Sequence, residues 1–450
     1  MEETKNNSDY IPIIVKLETH DNLDISSDIY FENTICQSLL SLGFTSNVHM
    51  CKNKLELPFM IKQKDKKYLV TNKFEHVIYG NNKKENIDDI ETLTSRYFKI
   101  NTKDVMFNRA FVKLYEMIVM FDLIPLDIQN FVSIHLAESP GSFFQCSVLY
   151  RDNFGKNKIS KNDKYHCISI FSESSHVPSF SKNMTDYYNE EKPRRLFIHK
   201  TYPLKETINN NFDNGDLTNP KTIVNFSNEI KNKAHFITAD GGFETNNENL
   251  QEQETFVLIL GQIIAAIKNQ ENNGHFVLKI FESYTILLIK IMYILCGLYK
   301  EVYIMKPLTS RKSNSEKYII CKYFKYGKKK SHNMNIEKIL FEYLEKIHEN
   351  KNLFVHDISS NIIIPSHMSN LIATLNNEIF LRQYESINEY VLFVRNNKQF
   401  TDEYNKYINY QKNAAQYWAS IYLNDNHNKI HEMKNNIISF FNNVSKNLTT

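Results

Sequence analysis

The feature that most restricts the fold of this 450-residue chain is an alternation of short apolar runs with longer segments of helical spacing between Asn108 and Phe324. Six runs have the length of strands: FVSIHLA (131–137), YHCISIF (165–171), AHFITAD (234–240), HFVLKIF (275–281), EVYIMKP (301–307) and EKYIICKYF (316–324). Strands that alternate with helices are typical of βαβ units. The sequence therefore predicts an α/β fold with a mainly parallel central sheet.

The segments on either side of this region have different patterns. Residues 1–100 mix short apolar runs with polar stretches such as KQKDKKY, and we predict an N-terminal accessory region there. Residues 331–450 show helical spacing, as in IEKILFEYLEKIHE, with few strand signals. The predicted organisation is thus an α/β domain at 101–330 followed by a helical C-terminal extension.

Charge and cysteine content exclude several classes of protein. The chain has 54 basic and 51 acidic residues, so binding to a polyanion would need a local basic patch. The six cysteines form no C-x-x-C pair and the histidines lack metal-ligand spacing, so we predict no metal site, no disulfide framework and a cytoplasmic location. The N-terminus lacks a signal-peptide pattern. The longest apolar stretches are shorter than the ~20 residues that span a bilayer, so no membrane association is expected.

A tight turn follows the first apolar run. In LAESPGSFFQ (136–145), Pro140 and Gly141 precede a segment of helical spacing. Ligands of doubly wound sheets bind at the carboxyl ends of the strands, where a glycine turn lets backbone N–H groups approach them. The alternative is an ordinary turn in which Ser139 or Ser142 caps the helix.

Three charged residues lie in or beside the later apolar runs. Asp240 ends AHFITAD, Lys279 lies inside HFVLKIF, and Glu316 opens EKYIICKYF. Burying a charge is costly unless it is paired, so these residues could face one cleft. The alternative for Lys279 is a side chain that reaches solvent at a sheet edge.

Six segments together carry a family resemblance: FNRAFVKLYEM (107–117), LAESPGSFFQ (136–145), GDLTNP (215–220), FITADGGFETNNENLQEQE (236–254), GHFVLKIFE (274–282) and KPLTSRKSNSEKYIICKYF (306–324). They resemble the FtsJ-like ribose 2′-O-methyltransferases, and within them the cap-specific mRNA (nucleoside-2′-O-)-methyltransferases. The resemblance implies a Rossmann-like methyltransferase fold, S-adenosylmethionine as cofactor and RNA, chiefly capped mRNA, as partner. Large cytoplasmic DNA viruses carry such proteins, and the abundance of Asn, Lys, Ile and Tyr fits an AT-rich viral genome, so we expect the host cytoplasm or the virion as location.

The resemblance also implies roles for individual residues. The catalytic tetrad of the family falls on Lys113, Asp240, Lys279 and Glu316. The loop that holds the methyl donor falls on Ala137, Glu138, Ser139, Pro140, Gly141, Ser142 and Phe143, and Asp216 and Asp240 are further cofactor positions. The positions that contact capped RNA are Asn249, Gln251 and Asn314.

Two features depart from the family pattern. Ser142 stands where the family commonly has glycine, and its side chain would crowd the cofactor if that position needs a positive φ. The polar stretch 151–214 contains no recognisable cap-binding pattern, so cap specificity rests on the resemblance.

The predicted function is methylation of the first transcribed nucleotide of capped mRNA. S-Adenosylmethionine carries a good leaving group, so the protein must align the methyl carbon with a ribose 2′-hydroxyl and assist loss of its proton. The alternatives are the same chemistry on ribosomal or other RNA, or a non-catalytic RNA-binding or virion scaffold protein with a degenerate methyltransferase fold. A nicotinamide-dependent oxidoreductase is disfavoured because the G-x-G-x-x-G motif is missing.

Overall fold

The computed structural model describes residues 8–39, 42–55, 67–75, 89–100, 108–171, 177–190, 195–199, 214–242, 250–327, 330–424 and 427–447. The described strands are β1 (Ile13–Leu17), β2 (Ile29–Glu32), β3 (Val132–Leu136), β4 (Lys164–Ile168), β5 (Leu196–His199), β6 (Ala234–Ala239), β7 (Gln270–Ile280), β8 (Tyr299–Lys306), β9 (Lys317–Phe324) and β10 (Phe354–Ile358). The described α-helices are α1 (Leu42–Asn53), α2 (Ile90–Phe98), α3 (Arg109–Phe121), α4 (Ser142–Phe154), α5 (Lys182–Glu190), α6 (Pro220–Glu229), α7 (Gln251–Asn269), α8 (Ile286–Leu298), α9 (Lys330–Glu349), α10 (Ser366–Arg395), α11 (Glu403–Tyr422) and α12 (His427–Asn447).

Eight of these strands form the central sheet, in the order β1-β8-β9-β7-β6-β3-β4-β5. The five strands from β7 to β5 are mutually parallel. Strand β9 is antiparallel to both β7 and β8, so β8 points the same way as β7, and β1 is antiparallel to β8. The prediction of a mainly parallel sheet in an α/β fold is confirmed.

Burial of the central strands explains why apolar runs in the sequence predicted them correctly. All five residues of β3 are buried, as expected for a strand whose two faces are both covered. All six runs predicted as strands form β3, β4, β6, β7, β8 and β9. Strand order reverses between β3 and β6, and the carboxyl ends of these two strands open onto one edge of the sheet.

The N-terminal segment adds a strand to the central sheet and forms a separate two-stranded sheet with the C-terminal segment. Strand β1 adds an edge strand to the central sheet, and β2 pairs with β10 from the C-terminal extension. The extension is otherwise helical over its described residues, as predicted. One hydrophobic core includes Ile14, Ile134 and Trp418, so the three predicted segments share buried side chains. The domain boundaries at residues 100 and 330 stay a prediction.

Other predicted features concern membranes and cysteines. None of the helices in the described ranges is both long enough and apolar enough to cross a membrane. The six cysteines are buried free thiols.

Candidate active site

The loop after β3 takes an unusual backbone path at two residues. Ala137 and Gly141 have φ angles of 52° and 120°, and a Cβ on Gly141 would collide with the side chain of Met184. Gly141 is the N-cap of α4 without a side-chain cap, so neither Ser139 nor Ser142 has the capping role considered above. Ser142 is the first helical residue and does not have a positive φ. The expected crowding at Ser142 from a left-handed backbone therefore does not arise.

Two buried oxygens in this loop have no hydrogen-bond partner among the described residues. Glu138 is 4% exposed, and its Oε1 accepts a hydrogen bond from the backbone N–H of Phe144 at 2.8 Å. Its Oε2 and the Oγ of Ser142 lack hydrogen bonds. Burial, together with the negative charge of Asp240, raises the pKa of the Glu138 carboxyl well above its usual range, although the helix N–H groups oppose this. The loop thus keeps unused hydrogen-bonding capacity, which suits a polar ligand.

The first pair of predicted catalytic residues joins α3 to the start of β9. Lys113 Nζ donates to Glu316 Oε1 at 2.6 Å, and Ser310 Oγ donates to the same oxygen at 2.9 Å. Burial alone would raise the pKa of the Glu316 carboxyl, but the positive charges of Lys113 and Lys279 hold it well below its usual range. Glu316 is therefore a carboxylate at neutral pH.

The second pair joins the ends of β6 and β7. Lys279 Nζ donates to the backbone oxygen of Asp240 at 2.7 Å and lies 3.3 Å from its Oδ1. A Cβ on Gly242, two residues after Asp240, would lie only 3.1 Å from Lys279 Nζ, so this glycine leaves room for the amine. The backbone N–H of Asp240 donates to Leu136 O at 3.3 Å, which ties this pair to the end of β3.

Tyr318 connects the two pairs, and no sequence pattern marked it. Its hydroxyl donates to Asp240 Oδ1 at 3.2 Å, and its ring centroid lies 6.1 Å from that of Phe143 in the donor loop. Burial and the charges of Asp240 and Glu316 raise the Tyr318 pKa well above its usual range, so it remains a hydrogen-bond donor. The structure brings together the four residues predicted as catalytic; their roles in catalysis stay a prediction.

The loop between β8 and β9 is held by a buried lysine that sequence reasoning missed. Lys306 Nζ donates to the backbone oxygens of Asn314 at 2.9 Å and Glu316 at 2.8 Å, and to Asn314 Oδ1 at 3.0 Å. Burial and neighbouring cations lower the Lys306 pKa well below its usual range, although Glu316 opposes this. A signal existed, because Lys306 lies in the apolar run EVYIMKP as Lys279 lies in HFVLKIF.

Glu75, from the N-terminal region, bridges two arginines beside this loop. Its carboxylate accepts from Arg109 Nη1 at 2.7 and 2.6 Å and from Arg311 Nε at 2.7 Å. Arg109 lies one helical turn before Lys113, and Arg311 lies in the loop that leads to Glu316. Glu75 thus fixes both elements that carry the Lys113–Glu316 pair. Nothing in its polar sequence context marked it.

Asp216 lies at the same edge of the sheet, where it bonds within its own loop. Its Oδ1 accepts from the backbone N–H of Thr218 at 2.9 Å and from Thr218 Oγ1 at 2.8 Å. The loop is attached to the end of β4, since Phe171 N donates to Asn214 O at 2.7 Å. A separate pocket of about 290 Å³ lies against the donor loop, lined by Ser139, Ser169, Ile170, Phe171, Ser179, Phe180, Lys182, Thr185, Ile198 and His199.

Two of the three residues predicted to contact RNA line a cleft. Gln251 and Asn314 both border a cleft of about 270 Å³. Its other lining residues are Lys52, Leu55, Tyr68, Leu69, Phe281, Arg311, Ser313, Ser315, Gln383 and Tyr390. Asn249 lies outside the described residues. In the part of the chain that the structure describes, no group of three or more His, Cys, Asp or Glu side chains is arranged to hold a metal ion.

Comparison with a family model identifies the central segment. Residues 106–324 match the model of the FtsJ-like methyltransferases. This segment belongs to the FtsJ-like methyltransferase family. It is the part of the chain that contains the donor loop and all four residues of the two pairs.

Curated relatives share this segment. Human cap-specific mRNA (nucleoside-2′-O-)-methyltransferase 1 is 33% identical over 157 residues, which are 34% of this chain and 18% of the relative. The cap-specific mRNA (nucleoside-2′-O-)-methyltransferase 2 of Pongo abelii is 29% identical over 270 residues, 58% of this chain and 32% of the relative. This chain thus spans a third or less of the length of these relatives.

Solved structures resemble this chain only weakly, with low TM-scores. A putative ribosomal RNA methyltransferase from Plasmodium falciparum has a TM-score of 0.32 and 17% identity, and covers 48% of this chain and 97% of its own. Human methyltransferase-like protein 13 has a TM-score of 0.30 and 11% identity, and covers 53% of this chain and 93% of its own.

Proposed function

We propose that this chain is an S-adenosylmethionine-dependent RNA ribose 2′-O-methyltransferase that acts on the first transcribed nucleotide of capped mRNA. The observation that carries the proposal is the pairing of Lys113 with Glu316 and of Lys279 with Asp240 beside the donor loop. The family of residues 106–324 supports the reaction class, and the names of the curated relatives support the capped substrate.

The donor loop has the chemistry to hold the cofactor. When bound, S-adenosylmethionine supplies a methyl group on a positively charged sulfur. The Oε2 of Glu138, which lacks a hydrogen-bond partner among the described residues, can hydrogen-bond a polar group of such a ligand, and Gly141 lets the loop pass close to the side chain of Met184. Asp216 is the candidate for the adenosine end, as the family resemblance implies.

The Lys279–Asp240 and Lys113–Glu316 pairs have different roles in the proposed reaction. Asp240 holds Lys279 Nζ at the carboxyl edge of the sheet, where the amine in its neutral form can bind the ribose 2′-hydroxyl and accept its proton as the oxygen is methylated. Glu316 holds Lys113 opposite this pair, and the hydroxyl of Tyr318 fixes Asp240. Each reacting group is thus oriented before substrate binds, which is the main contribution of a site that only transfers a methyl group.

The cleft lined by Gln251 and Asn314 is the candidate site for the RNA. It adjoins the two pairs, because Ser315 precedes Glu316 and the ring of Phe281 lies 5.6 Å from Lys279 Nζ. Aromatic rings can stack on bases, and Arg311 can contact a phosphate.

The proposal is tested by incubating the protein with S-adenosylmethionine labelled in the methyl group and a short capped RNA. Nuclease digestion should place the label on the ribose of the first transcribed nucleotide. Uncapped RNA of the same sequence is the control, and equal labelling of both would assign the chain to other RNA substrates. RNA binding without methyl transfer would instead support the non-catalytic alternative.

A further inference from the structure

A glutamine of the C-terminal extension, Gln383, lies in the wall of the cleft that contains Gln251 and Asn314. It belongs to α10, outside the segment that matches the FtsJ-like family. Its side chain is 2% exposed. Nε2 donates to Ser313 O at 3.0 Å, so the orientation of the amide is fixed by a backbone acceptor. Oε1 is buried and has no hydrogen-bond partner among the described residues.

An unpaired buried carbonyl oxygen is unfavourable in the free protein. Leaving a buried acceptor unsatisfied destabilises the fold, and most such groups in proteins do have a partner. A ligand that brings an N–H group to this oxygen would regain that free energy on binding. The position of Gln383 in a cleft is what separates it from an ordinary packing defect.

The other lining groups indicate which ligand carries the N–H group. Phe281 supplies a partly exposed aromatic ring, while Gln251 and Asn314 supply amides that can both donate and accept. Rings for stacking combined with amides for the polar edge are the means by which proteins bind unstacked RNA bases. Arg311 adds a guanidinium at the same cleft.

We propose that Oε1 of Gln383 accepts a hydrogen bond from an amino or imino N–H of an RNA base bound in this cleft. The C-terminal helix α10 is then a specificity determinant for the substrate, supplied from outside the FtsJ-like segment. The inference rests on the proposed function in that it takes RNA as the ligand.

The test compares Gln383→Met with Gln411→Met. Gln411 is also 2% exposed and donates through Nε2 to the backbone oxygen of Asn72 at 3.0 Å, and its Oε1 has no hydrogen-bond partner among the described residues. It is absent from the cleft lining. The two variants therefore remove the same groups from similar surroundings, and only one of them faces the cleft.

Binding is measured by fluorescence anisotropy with a short capped RNA labelled at its 3′ end, and cofactor binding by calorimetry. We expect Gln383→Met to weaken RNA binding roughly 3- to 10-fold, the range of one hydrogen bond. Cofactor affinity should be unchanged, and Gln411→Met should leave RNA affinity unchanged. Equal RNA affinity of Gln383→Met and the native protein would overturn the proposal.

A second measurement uses the native protein alone and so does not depend on the folding of a variant. Capped RNAs lacking one amino or imino group at a time, such as inosine in place of guanosine to remove the 2-amino group, are compared in the cap and in the first nucleotide. One deletion should weaken binding roughly 3- to 10-fold, and Gln383→Met should abolish that difference. If no deletion changes the affinity, the proposal is wrong. A native protein that binds RNA with this pattern but transfers no methyl group would overturn the proposed reaction and leave the inference about Gln383 standing.

Discussion

Lys113 and Glu316 form an ion pair at 2.6 Å although 203 residues separate them in the sequence. One lies on α3 before the sheet and the other at the start of β9, which runs antiparallel to its neighbours. Because β9 is antiparallel, its first residues lie at the edge where β3, β6 and β7 end. The antiparallel direction of β9 thus brings Glu316 to the same edge of the sheet as the donor loop.

Because of the Lys113–Glu316 ion pair, we expect the free energy of unfolding to depend on pH. The folded-state pKa of Glu316 is lower than the ordinary value of about 4.3. Ionised Glu316 therefore stabilises the fold above that pH, and the stabilisation is lost as the pH falls below it. Urea unfolding should show Glu316→Gln to be less stable than the native protein at about pH 7, with a smaller difference at about pH 3.5. A difference that is constant with pH would contradict the pairing.

Replacement of Lys279 by Met tests the proton acceptor. The aliphatic part of the side chain stays in β7 while the amine is removed, so the fold and cofactor affinity should be retained. Methyl transfer should fall about 10²- to 10⁴-fold, as is typical when a general base is lost. Single-turnover rates with capped RNA measure this. Lys290→Met is the matched control, since Lys290 is buried in α8 and likewise contacts carbonyl oxygens and a carboxylate. Near-normal turnover of Lys279→Met would exclude its amine as the base.

Lys279 and Asp240 should act as one unit. Asp240→Asn removes the charge next to the amine and should also reduce the rate severely. Because either change disables the same pair, the double variant should lose much less activity than the product of the two separate losses. Rates of the two single variants and the double variant complete the cycle, and fully multiplicative losses would show that the residues act independently.

The sequence predicted the strands whose apolar runs are continuous, and missed those that depend on distant partners. FVSIHLA and AHFITAD are long and apolar because both faces of β3 and β6 are covered. The four-residue strand β5 is only half-buried, so its pattern is weak. Strand β1 is stabilised by pairing with β8, where Ile13 lies opposite Lys306, and no local pattern reveals such a partner.

Likewise, the sequence indicated some residues of the candidate site and missed others. Charges inside apolar runs marked Asp240, Lys279 and Glu316, and the family resemblance added Lys113. Glu75 and Gln383 gave no signal, because each lies in a segment of ordinary composition and matters only through tertiary contacts. Side chains that orient a site from outside its motif segment are visible only once the chain is folded.

Glu75 predicts an effect on rate rather than on cofactor binding. Glu75→Gln weakens the contacts to Arg109 and Arg311, and these residues lie on the two elements that hold Lys113 and Glu316. The turnover number should fall while cofactor affinity, measured by calorimetry, changes little. Glu75→Asp keeps the charge and should restore part of the rate.

Asp152→Asn is the control for Glu75. It weakens another partly buried carboxylate–arginine contact, in which Asp152 of α4 accepts from both Nη atoms of Arg195, just before β5, at 3.0 and 3.1 Å. Both variants should lower the midpoint of thermal unfolding, whereas only Glu75→Gln should lower turnover. Equal effects on turnover would show that Glu75 acts through stability alone.

The last prediction concerns Ser142, the residue that departs from the family pattern. It occupies the first position of α4 with an ordinary helical backbone, and its buried Oγ lacks a partner among the described residues. Ser142→Gly should leave the fold intact, at a cost of at most about 1 kcal/mol from the helix propensity of glycine. Cofactor affinity, measured by calorimetry, should stay the same or become tighter. Ser142→Ala separates the two effects, because it removes the hydroxyl without loosening the backbone. A large loss of affinity in both variants would mean that the hydroxyl itself binds the cofactor, and a loss in Ser142→Gly alone would mean that the loop needs the stiffer backbone.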